Sequence, residues 1–209
     1  MNTPTQDNPS LSRRRLGVKD LVTIGICGVL AMVINTVIGM ILTPIYGFAY
    51  PVVGGVCALF SAPVYVLMSY RVAKRGTAVL FYLIIAIISA LPGFFYMIPF
   101  YLAAGLICEA ILWRPGAYRN GMLNAVTYMI FGIMFSIGSY LPIYLFGDTY
   151  YDQFESMGAS AELFLRFATS PGAVAVSVIA GAVLALLGHW MGRKLLSKHF
   201  VKAGIITAA

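Results

Sequence analysis

Tyrosines cluster around three connections between apolar segments of this chain. Each tyrosine offers a flat ring for stacking and a hydroxyl group for a hydrogen bond. One amide and one carboxylate lie in the same regions. A pocket for a flat, partly apolar molecule with few polar contacts needs this combination of side chains. We therefore predict a ligand site lined by Asn35, Tyr46, Tyr96, Tyr101, Tyr140, Tyr144, Asp148 and Tyr151.

An aromatic belt is the alternative interpretation of the same tyrosines. Membrane proteins carry Trp and Tyr at both membrane–water interfaces, where the rings sit at the level of the lipid headgroups. The opposite ends of the segments carry a thinner aromatic set, so the excess on one side favours a pocket. Both interpretations remain open at this point. The thinner set is Tyr70, Trp113, Tyr118, Trp190 and Phe200.

Residue types suited to catalysis or metal binding are scarce. The two histidines, His189 and His199, lie near the C-terminus. The sequence contains no nucleophile elbow, no HExxH motif and no phosphate-binding loop. The cysteines lie inside apolar segments without CxxC spacing, so we expect small buried hydrophobic residues there. They are Cys27, Cys57 and Cys108. We predict no enzymatic activity, no metal site and no cofactor.

Six apolar segments must position the tyrosines. The 209 residues are 60% hydrophobic and 10% charged, whereas soluble domains carry roughly a quarter charged residues. A helix needs about 20 apolar residues to cross a membrane. We predict an all-α integral membrane protein with six transmembrane helices, the third of them short. Their expected ranges are 20–43, 50–70, 77–91, 96–113, 121–146 and 171–196.

Basic residues mark one side of this predicted bundle. Thirteen of the fourteen Lys and Arg residues precede the first segment, fill every second connection or follow the last segment, and only Arg166 is placed otherwise. The positive-inside rule then predicts that both termini lie in the cytoplasm. The net charge of +7 is expected to face anionic lipid headgroups rather than nucleic acid. Residues 1–15 are predicted to be a disordered cytoplasmic tail, and residues 16–206 a membrane domain whose long outer loop spans 147–170.

Small residues recur at a spacing of four in the first and last segments. Such rows let helices approach closely within a membrane. The row could serve packing within this bundle or docking of another membrane subunit, and both interpretations remain open. The first row is Thr23, Cys27, Ala31 and Asn35, and the second is Ala173, Ser177, Gly181 and Ala185, followed by Gly188 and Gly192.

Glu109 is an ionisable residue inside a predicted segment, and such residues are functional candidates. Arg114 follows close behind at the end of that segment, so we favour a structural ion pair between the two side chains. The sequence holds no spaced run of acidic residues that could relay protons or hold cations, which argues against an ion-coupled pump.

Three stretches carry a resemblance to a known family. They are LGVKDLVTIG at 16–25, YLPI at 140–143 with Asp148 and Tyr151, and GRKLLSKHFVKAGI at 192–205. Through them, residues 16–206 resemble the substrate-binding S components of energy-coupling-factor (ECF) transporters of the Trep_Strep or MptD type. The resemblance implies a six-helix S-component bundle in the bacterial cell membrane. Such a protein captures a vitamin-like micronutrient or metal species and delivers it through a membrane T component and two cytoplasmic ATPases.

The resemblance also implies a docking face. In this family type a small-xxx-small surface on the first helix contacts the T component, and its usual Ala-xxx-Ala appears here as Cys27-xxx-Ala31, extended by Thr23 and Asn35. The resemblance does not name the ligand. A haem-like ligand would need Tyr or Met ligation, because neither histidine lies on the predicted outer side; the candidate methionines are Met40, Met97 and Met157. The alternative from another class is a membrane scaffold or assembly module that binds no ligand.

Overall fold

A computed structural model describes residues 16–91, 93–147 and 170–202, and the regular secondary structure within these ranges is helical. Three short 3-10 turns at Thr43–Ile45, Phe95–Met97 and Ala117–Arg119 accompany the helices. The predicted tail and nearly all of the predicted outer loop lie outside the described residues. The α-helices are α1 (Val18–Leu42), α2 (Tyr46–Val72), α3 (Thr77–Ala90), α4 (Ile98–Leu112), α5 (Gly121–Phe146) and α6 (Pro171–Lys202).

Five of these helices are long and apolar enough to cross a membrane: α1, α2, α4 with the turn before it, α5 and α6. α3 has 14 residues, fewer than the roughly 20 that a full crossing needs. α5 begins and ends at the predicted residues. α2 begins earlier than predicted, at Tyr46, and α6 continues past its apolar part to Lys202. The extension of α6 adds polar residues, which hydropathy does not reveal, whereas α2 begins within the stretch that was expected to connect the first two helices.

The six helices close into a ring. α1 packs on α2 and α3, α4 lies between α3 and α5, and α6 lies between α5 and α2. α2 and α5 also touch across the middle of the ring. Each tyrosine-bearing segment is therefore held between two neighbours, and the inner faces of α2, α3, α4 and α5 share one core.

Glycines on α6 bring helix backbones together at its two interfaces. A Cβ atom on Gly188 would lie 2.6 Å from the carbonyl oxygen of Leu59 on α2. Across the α5–α6 interface, a Cβ on either Gly132 or Gly181 would collide with the carbonyl oxygen of the other. Close backbone approach of this kind drives helix association in lipid. The row of small residues on α6 therefore serves packing within the bundle.

One end of the bundle gathers the basic residues, and we call it the basic end. Lys74 and Asp20 form an ion pair of 2.6 Å that joins α2 to the first turns of α1. The guanidinium of Arg193, late in α6, packs against Gly121 at the start of α5. The eight Lys and Arg side chains that the structure describes belong to helix ends and connections that meet here: Lys19, Arg71, Lys74, Arg75, Arg114, Arg119, Arg193 and Lys194. The charge segregation expected from the sequence is thus present in the folded bundle, while the side of the membrane that it faces remains a prediction.

Candidate functional site

The middle of the bundle holds buried aromatic rings that we call the ring cluster. The rings come from α2, α3, α4 and α5, and neighbouring centroids lie 4.7–6.2 Å apart. This range of distances is typical of favourable aromatic pairs. The ring cluster consists of Tyr65, Phe81, Tyr82, Tyr101, Tyr128 and Phe131, all of them buried.

Several of these rings share nearly one orientation. Phe131 lies between Tyr82, at 5.1 Å and 21°, and Tyr101, at 6.2 Å and 19°. Tyr65 and Tyr128 stack at 4.7 Å and 30°. Rings in this near-parallel arrangement pack face against face, so the cluster is a stack of flat groups.

Hydrogen bonds hold two of the four tyrosine rings of the cluster in place, those of Tyr65 and Tyr128. The Tyr128 hydroxyl donates to the carbonyl oxygen of Ala58 at 2.6 Å and lies 3.1 Å from the Ser61 hydroxyl. The Tyr65 hydroxyl lies 2.9 Å from the hydroxyl oxygen of Thr127. Buried polar groups that are paired in this way fix side-chain positions and rigidify a core. The ring cluster is therefore a preorganised surface.

A narrow cleft runs beside the ring cluster. Asn35 on α1 lines it, and its side-chain oxygen is buried without a hydrogen-bond partner among the described residues. Such atoms are uncommon in folded proteins, and each needs an explanation. The cleft is too narrow for a water-sized sphere in this conformation. Its lining consists of Ala31, Asn35, Ser61, Phe81, Ile85, Tyr128 and Phe131.

The five predicted ligand residues whose side chains the structure describes lie in different surroundings. Tyr101 belongs to the ring cluster, and Asn35 lines the cleft beside it. Tyr140 is buried with its ring 5.1 Å from that of Tyr50. Tyr144 is 50% exposed. Of the others, Tyr96 packs 4.9 Å from Phe146, while the Tyr46 side chain, Asp148 and Tyr151 lie outside the described parts of the structure.

Sequence reasoning missed most of the ring cluster. On α5, Tyr128, Phe131 and Phe135 follow a spacing of three and four residues that places them on one helix face. That spacing was available in the sequence. It carries little weight in a membrane helix, because lipid-facing and protein-facing residues are both apolar there. The missed residues that belong to the ring cluster, bond to its hydroxyl groups or line the cleft are Ser61, Tyr65, Phe81, Tyr82, Ile85, Thr127, Tyr128 and Phe131.

The predicted docking row on α1 faces the inside of the bundle. Cys27 and Ala31 are 5% and 2% exposed and belong to the core shared with α2 and α3. Thr23 is half-buried, and its hydroxyl donates to the carbonyl oxygen of Lys19 at 2.8 Å. Gly28 in the same stretch packs tightly on Ile84 of α3. In this conformation the small residues of the row are turned inward, where α1 packs on α2 and α3, and docking of a partner by the row remains a prediction.

Glu109 lies at the basic end, where it binds backbone amides instead of the expected Arg114. It is 6% exposed, and its carboxylate accepts hydrogen bonds from the Gly76 amide at 2.7 Å and the Ala78 amide at 3.2 Å. These amides open α3, where the helix dipole favours a negative charge. The Tyr118 hydroxyl donates to the same carboxylate at 2.6 Å. Burial, followed by the bond to Glu109, raises the pKa of Tyr118, so its hydroxyl keeps its proton and remains a donor.

Within the described residues, no three His, Cys, Asp or Glu side chains come together in a way that could hold a metal ion.

A comparison with protein families finds one match. The model of a family described as "hypothetical bacterial integral membrane protein (Trep_Strep)" matches residues 18–202. This range begins with α1 and ends with α6, so it contains the whole helical bundle. No curated protein and no solved structure matches the chain.

Proposed function

Because the chain belongs to the Trep_Strep family of bacterial integral membrane proteins, we propose that it is the substrate-binding S subunit of an energy-coupling-factor importer. The protein lies in the bacterial cell membrane, which it crosses several times. In this role it captures a small, flat, vitamin-like molecule from outside. A membrane T component and two cytoplasmic ATPases then deliver the molecule to the cytoplasm.

The unpartnered amide oxygen of Asn35 beside the ring cluster is the observation that supports this role most. Buried acceptors without a donor are uncommon, and although others such as Asn124 Oδ1 occur among the described residues, Asn35 is the one that lines this cleft. Here the acceptor lines a cleft whose other walls include the rings of Tyr128 and Phe131. A flat ligand with one N–H or O–H group would stack on the rings and donate to Asn35. This combination defines the substrate class that we propose: planar, partly apolar, and carrying a hydrogen-bond donor at its edge.

Entry of such a ligand requires movement, because the cleft is closed in this conformation. α1 is the helix that we propose to move, because Ala31 and Asn35 on it form one wall of the cleft. Ala31 lies both in the inward-facing row and in the cleft lining. A displacement of α1 would therefore widen the cleft and uncover the row in a single step. In this way ligand capture and docking to a T component would be coupled.

The chain contains no phosphate-binding loop of its own, so in this proposal separate ATPase subunits supply the energy for uptake against a gradient.

The alternative function is a scaffold that binds no ligand in the same interior. The presence or absence of a bound small molecule is therefore the measurement that distinguishes the two functions.

The test is mass spectrometry of small molecules that co-purify with the protein from its own membranes. Asn35→Ala is the test variant, and Thr36→Ala is its matched control, because the neighbouring Thr36 is exposed and bonds only locally to Met32 among the described residues. We expect one non-lipid compound with the wild type and the Thr36 variant, and its loss from the Asn35 variant. Recovery of only lipid and detergent from all three proteins would contradict the proposal and favour the scaffold.

A further inference from the structure

A groove opens between α3 and α4 at the basic end of the bundle. It has a volume of about 480 Å³. Its walls are apolar apart from Glu109, and the exposed side chains of Leu106 and Trp113 form part of its rim. The lining residues are Gly76, Val79, Leu80, Leu106, Glu109, Ala110 and Trp113. Ala110 in this lining is exposed.

The carboxylate in the groove wall already has hydrogen-bond donors within the protein. Both oxygens of Glu109 accept hydrogen bonds, one from the Gly76 amide and the other from the Ala78 amide and the Tyr118 hydroxyl. The positive end of the α3 dipole faces the same carboxylate. The groove therefore offers an apolar channel rather than a bare negative charge.

Arg75 stands at the mouth of this groove. Its guanidinium stacks over the Trp113 ring, 4.7 Å from the centroid, and its Nε donates to the Trp113 carbonyl oxygen at 2.8 Å. These two contacts hold the planar guanidinium in place while the residue stays exposed. An arginine carries five N–H donors in a fork that matches a phosphate. The ion pair that the structure describes at this end joins Lys74 to Asp20. Within the described residues, Arg75 is not paired with a carboxylate.

We propose that the groove binds an anionic phospholipid, with one acyl chain between α3 and α4 and the phosphate group on Arg75. Charge complementarity supports an anionic headgroup, because the basic end carries eight described Lys and Arg side chains against two carboxylates, Asp20 and Glu109. The apolar channel leads away from the fixed guanidinium, so an acyl chain can lie in the channel while the phosphate of the headgroup contacts the guanidinium. This site is separate from the ring cluster and does not depend on the transport proposal.

The test is native mass spectrometry of the detergent-solubilised full chain with phosphatidylglycerol or phosphatidylcholine that carry identical acyl chains. Arg75→Gln removes the phosphate contact, and Arg71→Gln removes the same charge at the end of α2. Ala110→Phe fills the groove from an exposed position, and Ala175→Phe adds the same ring to an exposed position on α6. All four variants change exposed residues, and thermal unfolding checks that each is folded.

We expect the wild type to retain phosphatidylglycerol in preference to phosphatidylcholine. Arg75→Gln should weaken phosphatidylglycerol retention about fivefold, as the loss of one partly solvated charged hydrogen bond would. Ala110→Phe should reduce retention of both lipids, while the two control variants behave like the wild type. Equal losses in Arg75→Gln and Arg71→Gln would show a general surface-charge effect and overturn the site. Unchanged retention in Ala110→Phe would overturn the groove as the place of the acyl chain.

Discussion

The carboxylate of Glu109 lies 2.7 Å from the backbone amide of Gly76, although 33 residues separate the two in the chain. This bond ties the end of α4 to the start of α3. Gly76 has a positive φ of 87°, a conformation that favours glycine, so the chain can turn sharply there and present its amide to the carboxylate. The short helix α3 is therefore anchored at the basic end by its neighbour.

Glu109→Gln should lower the thermal stability of the protein. Glutamine keeps one acceptor oxygen but loses the negative charge and one acceptor site, which leaves a buried amide or the Tyr118 hydroxyl unpaired. The expected cost is about 1–3 kcal/mol, measured as a lower unfolding temperature in detergent. Asp20→Asn is the control, because its ion pair with Lys74 is partly exposed and such pairs contribute about 0–1 kcal/mol. Equal losses in the two variants would contradict the anchoring role of Glu109.

Tyr118 should give the unfolding free energy a dependence on alkaline pH. Burial raises the pKa of Tyr118, so the folded protein keeps a proton that the unfolded chain releases above about pH 10. The contribution of this group is fully present below pH 10 and declines as the pH rises further. Tyr118→Phe should lower stability at neutral pH by about 1 kcal/mol and make the decline above pH 10 shallower. The same slope in both proteins would contradict this linkage.

Gly132→Ala should disrupt the α5–α6 interface. The added methyl group would collide with the backbone of Gly181 and lie 2.9 Å from the Cβ of Ala185. Such overpacking costs about 1–3 kcal/mol and should appear as a lower unfolding temperature. Gly39→Ala on α1 is the matched control, because a Cβ there meets nothing within 4 Å. A control variant that loses as much stability as Gly132→Ala would show that helix glycines matter for a reason other than close packing.

The sequence predicts the helices of this bundle better than it predicts their faces. α5 ends and begins as expected, and Ser170 and Pro171 mark the start of α6, because hydropathy, capping and proline act locally. The face that a helix turns toward the core depends instead on the helices that pack against it. The sequence around Cys27 and Ala31 fits a face toward a partner as well as a face toward the core, and the packing of α1 on α2 and α3 decides, for example where Gly28 meets Ile84.

The candidate site was harder to predict than the fold for a related reason. Tyr101 and Tyr140 resemble interfacial residues by their place in the sequence, yet both are buried. A tyrosine can occupy a membrane core when its hydroxyl finds a partner there, as Tyr128 does with Ala58 and Ser61. These partners lie 67 to 70 residues away along the chain, so no local pattern reveals them.

Ala31→Trp should destabilise the bundle rather than remove a docking contact alone. Ala31 is buried in the core beside α3, so an indole ring would force α1 away from its neighbours. We expect a clear fall in unfolding temperature. Ile26→Trp places the same ring on an exposed face of α1 and should be nearly neutral. If Ala31→Trp were as stable as the wild type, the inward orientation of the row would be wrong.

Cysteine labelling should establish the orientation of α6 in the membrane. The native cysteines Cys27, Cys57 and Cys108 are buried, so the wild type should react little with a membrane-impermeant thiol reagent. Ser170 and Lys194 are exposed and lie about 36 Å apart along a helix that rises about 1.5 Å per residue, enough to span a hydrocarbon core of about 30 Å. Ser170→Cys should react in intact cells, and Lys194→Cys only after the membrane is permeabilised, because the basic end is predicted to face the cytoplasm. The reverse pattern would contradict the predicted orientation, and reaction of both variants in intact cells would show that α6 does not cross the membrane.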